Sequence, residues 1–304
     1  MSFSNDVRRE ICSSVNDKEK RFACLYGMLL FCRTLTEHSI CFQSESRTSA
    51  ELFRSLFGAV FGSEPAMEEH TRKNGTVLHC CDIRDDAAAE VFRKYRLSEN
   101  IRAIDSEIIA TNSLGVFTAG VFLACGSVND PAKEYHLEFA CPEEQLAEQL
   151  ATLLRDIGVT AKTMLRRGQH IVYIKGSESI EDTLTFIGAP QCTLELMNMK
   201  IYKDIRNKAN RLANCDAANI DKVVKAAMKQ IEDIKLIDKA VGLDNLSDEL
   251  REVAQLRLDN IDMSLQEIGE TLSEPISRSG VNHRFKKLAK MADEIRGGGA
   301  GREK

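Results

Sequence analysis

The stretches RKNGTVLHC (residues 72–80) and RRGQHIVYI (residues 166–174) share one pattern: two basic residues, a glycine close behind them, then an apolar strand. The glycine supplies the positive φ that a tight hairpin turn demands, so both read as β-hairpins. Working outward from them, the same elements recur at an offset of about 94 residues. The alternating runs HSICFQS (38–44) and EYHLEFA (134–140) have the period of two expected of half-buried strands. Each leads into a helix, at residues 49–61 behind Thr48 and at residues 143–157 behind Pro142. A further helix closes each half, at residues 85–95 and 177–187.

Each half opens on a segment that is apolar nearly all round, EKRFACLYGMLLFCR (19–33) and SLGVFTAGVFLACG (113–126). A helix without a polar face must be buried, and neither half alone can cover one. Packing the two helices against each other resolves this, with Gly27 and Gly120 at equivalent positions allowing close backbone approach. The first 195 residues are therefore expected to be a duplicated α+β domain, with halves 1–98 and 99–195.

The chain has 304 residues, which suits two domains, and its apolar and charged fractions, 43% and 29%, are those of a folded globular protein. Ten cysteines are scattered singly apart from Cys80-Cys81, without zinc-ligand spacing, so they read as reduced thiols; no metal or cofactor is expected. No segment approaches the ~20 apolar residues of a membrane span, and the polar N-terminus does not open a signal peptide, so the expected location is the cytoplasm. The net charge of −5 conceals unlike blocks. Residues 1–199 carry −7, 200–240 carry +4, 241–276 carry −7 and 277–296 carry +4.

Residues 196–243 read as a basic helical connector with a break at residues 214–219, where Asn and Asp compete for local backbone bonds. Its cations Lys203, Arg206, Lys208 and Arg211 are candidate accessory phosphate contacts. Residues 244–296 then carry three short helices. The first opens at Ser247, and the second opens on the capping box Ser264/Glu267. After the short turn 273–276 the third buries Val281, Phe285, Leu288 and Met291. This is a helix-turn-helix pattern, whose recognition helix reads base edges in the major groove of double-stranded DNA. Arg278 and Asn282 suit bidentate pairing with guanine and adenine, with Ser279 and His283 beside them. Ser277, Arg284, Lys286 and Lys287 suit phosphate.

The duplicated unit with glycine-bearing seam helices resembles the LAGLIDADG homing-endonuclease domain. With the segments FTAGVFLACGSVNDP (117–131), IRNKANRLANCDAAN (205–219) and SRSGVNHRFKK (277–287), the whole chain is similar to the WhiA family of bacterial transcription regulators. The resemblance implies an α+β fold, a degenerate LAGLIDADG-like domain followed by an all-α helix-turn-helix domain, with a tail at 297–304. It also implies transcriptional control in sporulation, cell division or chromosome organisation, on the nucleoid, with a sigma factor or another transcription regulator as a further partner. In nucleases of this fold an acid near the end of each central helix holds a divalent cation; the corresponding residues here are Cys32 and Cys125, and neutral thiols do not replace hard oxygen ligands. Asp130 and Glu134 are the nearby carboxylates. No catalytic residue is therefore expected. The competing readings are a metal-dependent endonuclease, which would nick DNA, and an adaptor that binds only protein, which would show no salt-sensitive retention on duplex DNA. The hairpins at Arg72-Lys73 and Arg166-Arg167 leave open a DNA contact by the first domain, and no convergent polar cluster marks a small ligand there.

Overall fold

The computed structural model describes residues 2–15, 17–109 and 113–298, and most of the expected tail lies outside them. The chain divides into two compact units, Met1–Asp204 and Ile205–Lys304.

In the first unit the helices are α1 (Phe3–Ser14), α2 (Lys18–Leu30), α3 (Arg47–Phe61), α4 (Asp85–Lys94), α5 (Leu114–Cys125), α6 (Glu144–Asp156) and α7 (Ser177–Phe186). The strands are β1 (Thr34–Leu35), β2 (Ser39–Ser44), β3 (Met67–Thr71), β4 (Val77–Arg84), β5 (Gly126–Val128), β6 (Leu137–Cys141), β7 (Lys162–Arg166) and β8 (Gln169–Ile174). They form two antiparallel sheets of identical topology, β1-β2-β4-β3 and β5-β6-β8-β7, so the duplication legible in the sequence is a duplication of fold. The two hairpins are β3–β4 and β7–β8, with Gly75 and Gly168 at φ +83° and +79° in their turns.

Helices α2 and α5 form the seam. A Cβ on Gly120 would lie 2.1 Å from the Cys24 carbonyl, and one on Gly27 would lie 2.3 Å from that of Phe117. Only glycine fits either position. Around the seam Tyr26, Phe117, Val121 and Phe122 are fully buried, and one continuous core links both halves.

Four elements differ from the expectation. Helix α1 lies in the polar N-terminus, yet Val7 and Ile11 are fully buried against the core. The two-residue β1 and three-residue β5 are too short for a periodicity signal. The expected break at residues 214–219 is absent: α8 runs unbroken from Pro190 to Ala240. No proline or glycine occurs between Pro190 and Gly242, so every residue beyond the first turn keeps its helical N–H, and isolated Asn or Asp lowers helix propensity by less than ~1 kcal/mol. Helix α8 is capped from afar, Glu10 of α1 accepting from the Gln191 and Cys192 amides at 2.6 and 2.9 Å. It ends before Gly242, whose φ of +85° suits glycine and whose N–H reaches the Ile237 and Asp238 carbonyls.

In the second unit, the C-terminal part of α8 packs with α9 (Asp248–Asp259), α10 (Leu265–Thr271) and α11 (Arg278–Gly298) around Ile234, Ile237, Val253, Ile268, Val281, Phe285 and Leu288. Met291 is half-buried, and Ala292 takes the inner position expected of it.

Candidate nucleic-acid interface

Helix α10 is fixed at its start by a closed capping box. The Ser264 hydroxyl accepts from the Glu267 amide at 3.2 Å, and Glu267 accepts from the Ser264 amide at 2.7 Å. The latter bond, which needs the charged carboxylate as acceptor, holds the Glu267 carboxyl below its ordinary range. Ser247, expected to cap α9 with its side chain, sits at that N-cap without a side-chain bond.

The turn between α10 and α11 folds back on α10. The Ile276 amide donates to the Gly269 carbonyl at 3.0 Å, and a Cβ on Gly269 would lie 2.4 Å from the Ile276 carbonyl oxygen. Gly269 thus admits the turn, and the Val281 side chain of α11 would also lie 3.1 Å from that Cβ. Glu252 of α9 holds the turn from the other side, accepting from the Ser273 amide at 2.7 Å and hydroxyl at 3.1 Å. Ser277 then stands before α11, its hydroxyl accepting from the Gly280 amide at 3.3 Å.

With Val281, Phe285, Leu288 and Ala292 inward, α11 turns Arg278, Ser279, Asn282, His283, Lys286 and Lys287 outward, all exposed. Among the described residues none of these six makes a side-chain hydrogen bond or ion pair, so their donors are free for a ligand. At ~1.5 Å rise per residue, positions 278–287 span roughly 13 Å, the width of the DNA major groove. Arg284 is placed differently. Its side chain is 14% exposed, and its guanidinium lies 3.7 Å from Glu249 of α9.

Sequence reading missed Arg257, which lies between apolar neighbours on α9. It is 2% exposed, and it donates to Gln230 Oε1 of α8 at 3.0 Å and to the Ile261 and Met263 carbonyls at 3.1 and 2.7 Å, with the Phe285 ring 5.5 Å away. One guanidinium thereby ties α8, the α9–α10 loop and α11 together. On α8, Arg206, Lys208 and Arg211 are exposed, whereas Lys203 donates to the Pro131 carbonyl at 2.6 Å and lies 4.6 Å from the Tyr135 ring centroid.

In the first unit the thiols of Cys32 and Cys125 end the seam. Cys32 donates to the Thr34 carbonyl at 2.9 Å and Cys125 to that of Val121 at 3.4 Å. Burial pushes the Cys32 thiol up to about 12 and the Cys125 thiol well above its ordinary value. Asp130 accepts from the Ala132 amide at 2.8 Å within a turn, and Glu134 is exposed. Among the described residues no three His, Cys, Asp or Glu side chains are grouped to hold a metal ion, and no helix is long and apolar enough to cross a membrane.

Known proteins resemble this chain in both units. The WhiA LAGLIDADG-like domain model matches residues 114–206, and the WhiA C-terminal HTH domain model matches residues 209–292. A probable cell division protein WhiA of Clostridium perfringens (strain SM101 / Type A) is 36% identical, covering 98% of this chain and 99% of its own length. That of Staphylococcus haemolyticus (strain JCSC1435) is 37% identical, covering 98% of each. The crystal structure of full-length DUF199/WhiA from Thermatoga maritima covers 97% of this chain and 99% of its own at 23% identity, with a TM-score of 0.58, a likeness of fold. With both domain models matched in tandem and relatives aligned end to end, the chain belongs to the WhiA family.

Proposed function

We propose that the chain is a sequence-specific, duplex-DNA-binding transcription regulator acting in cell division, with a first unit that lacks nuclease chemistry. The observation that carries this reading is the outward face of α11, where two forked or amide readers and two lysines stand unpaired beside a buried, cross-braced helix-turn-helix core. Arg278 and Asn282 read bases, with Ser279 and His283 alongside. Lys286, Lys287 and Ser277 hold phosphates, while Arg206, Lys208 and Arg211 add backbone contacts. Arg284 acts mainly by fixing α11 to α9. The names of the relatives, probable cell division proteins, support the cellular role. A sigma factor or another transcription regulator as partner, nucleoid association, and the division into residues 1–195, 196–243, 244–296 and 297–304 belong to the same reading.

The test is fluorescence anisotropy of wild type and Arg278→Ala/Asn282→Ala on genomically enriched and random duplexes across a salt series. Each lost bidentate contact costs about 1–3 kcal/mol on the preferred sequence and little on random DNA. Lys286→Gln/Lys287→Gln lowers the slope of log K against log salt by about 2 on both. Equal affinity of wild type and the Arg278/Asn282 variant for the enriched duplex refutes base reading by α11. Magnesium-dependent nicking of supercoiled plasmid, lost on substitution of Asp130 or Glu134, refutes the absence of nuclease chemistry.

A further inference from the structure

Helix α8 leaves a long apolar face uncovered. Every residue from 204 to 226 is exposed, and among the described residues the side-chain hydrogen bonds and ion pairs of this stretch stay inside the helix, Asn219 to Cys215 and Lys225 to Asp221. The local sequence does little to hold a solitary helix there. Asn207, Asn210, Asn214 and Asn219 are poor helix formers, and a lone helix in water is marginal without a packed face. Such a face is present. Ile201, Ile205, Leu212 and Val223 are 56, 60, 65 and 58% exposed, and at about 100° per residue all four lie within roughly 20° of one line along α8.

Three polar residues share that face, Lys208, Asp216 and Asn219, and their places show what covers it. Counted from Leu212, Lys208 and Asp216 stand four residues before and after, Ile205 and Asn219 seven, and Ile201 and Val223 eleven. A spacing that reads the same in both directions lets two copies of the face meet antiparallel about Leu212. Leu212 then faces the partner's Leu212, Ile201 the partner's Val223, Ile205 the partner's Asn219, and Lys208 the partner's Asp216. The two-fold axis makes each unlike contact twice. Neither Lys208 nor Asp216 has another ion pair among the described residues, so opposite charges meet in the middle of the seam. A parallel pair would instead set lysine against lysine and aspartate against aspartate, a repulsion that selects the antiparallel arrangement. On one flank Asp204 and the partner's Lys222 come within about 3 Å of the same height, a further pair of opposite sign.

We infer that α8 is the dimerisation element of this chain, and that its exposed face is covered by the same face of a second copy, paired antiparallel about Leu212. The paired stretch, residues 201–223, is roughly 33 Å long. One helix face per copy lies at or below the ~1,200 Å² at which standard interfaces begin, so the dimer is weak and depends on concentration. In the paired state Lys208 serves the seam rather than a DNA phosphate. Arg206 and Arg211, about 120° and 100° from Leu212 on opposite sides, stay free for the phosphate backbone. Pairing also joins two reading helices in one assembly, so that DNA can be held at two places. It does not depend on base reading by α11, and it is measured without DNA.

Sedimentation equilibrium of the full chain over a micromolar concentration series is the test, and a reversible monomer–dimer equilibrium is expected. Leu212→Lys, which sets two ammonium groups face to face, weakens dimerisation at least about tenfold. Lys208→Glu and Asp216→Lys each do the same, because each sets like charges opposite one another. Lys208→Glu/Asp216→Lys together restores the affinity to within about threefold of wild type, since the exchanged charges again meet their opposites. All three positions are exposed, so circular dichroism stays unchanged in every variant. A chain that is monomeric throughout, a dimer indifferent to Leu212→Lys, or a double exchange that fails to restore what the single ones lose overturns the proposal.

Discussion

Gly120→Ala tests the seam that organises the first unit. The added methyl would sit 2.1 Å from the Cys24 carbonyl and 3.1 Å from the Met28 amide, where ordinary contact begins at 3.4 Å. Both obstacles are backbone, so no rotamer change relieves the clash, and α5 must retreat from α2 by more than an ångström. Small-to-large changes in a packed core cost about 1–3 kcal/mol when side chains can yield. Here a gap of 0.5–1 Å or more along the seam also forfeits a quarter to a half of its dispersion wells. Against this, alanine gains ~1 kcal/mol over glycine in a helix interior. The net loss is about 2–4 kcal/mol, which for a unit of this size is a fall in its melting temperature of roughly 5–15 °C. Scanning calorimetry of the full chain reads it as a shift of the first unit's transition. Gly297→Ala, whose Cβ would meet nothing within 4 Å in α11, is the control and leaves both transitions in place. An unchanged or raised first transition in Gly120→Ala would refute the argument that backbone contact, rather than side-chain filling, closes the seam.

Arg257→Met removes three donors from Gln230, Ile261 and Met263 while keeping most of the volume. Expected is a loss of about 2–4 kcal/mol in the urea unfolding of the second unit, with DNA affinity falling in parallel; an unchanged urea midpoint counts against Arg257 as the brace. Cys32, held near 12 by burial, and Cys125, raised well above its ordinary value by burial, stay protonated at pH 8, so iodoacetamide labels the exposed Cys215 first. Peptide mapping that found Cys32 or Cys125 modified at a comparable rate in the native chain would contradict their burial. Glu267 titrates below its ordinary value of ~4.3, so the stability it adds is complete above that pH and is lost as pH falls through the folded value. Between pH 7 and pH 3 the second unit of Glu267→Gln therefore loses less stability than that of wild type, and equal losses would show that the charged capping box contributes nothing.

The duplication was legible because each half repeats residues with few structural alternatives: a glycine in a hairpin turn at Gly75 and Gly168, and a glycine facing a carbonyl at Gly27 and Gly120. The outward residues of α11 were legible for a similar reason, since Val281, Phe285 and Leu288 fix which side is buried. Helix α1 was not, because its inner face is completed by distant partners. Glu10 finds its role 181 residues away at the start of α8, and Arg8 finds its own 118 residues away at Gly126. Arg257 was hidden by the same effect: inside an apolar run a charged residue reads as an interruption until its acceptors on other elements are known. The break expected at residues 214–219 failed because local competition for backbone bonds is weak beside an uninterrupted helical hydrogen-bond ladder.

The acidic block at residues 241–276 is the strongest electrostatic objection to DNA binding by the second unit, and its contacts weaken that objection. Glu249 faces Arg284, Asp248 pairs with Arg251, Glu252 accepts from Ser273, and Glu267 closes the capping box. These acids are spent on holding α9, α10, the turn and α11 in place. Among the described residues Arg278, Lys286 and Lys287 have no such partners, so unpaired cations stand on the outside of α11 even though the block before it sums to a negative charge. At physiological salt a charge is screened beyond ~8 Å, so a phosphate at α11 responds mainly to those near cations rather than to the chain's total. Net charge is therefore a poor guide to this unit. A sharper one is Glu249→Gln: it removes the carboxylate facing Arg284, and duplex affinity rises at low salt provided α11 keeps its place on α9.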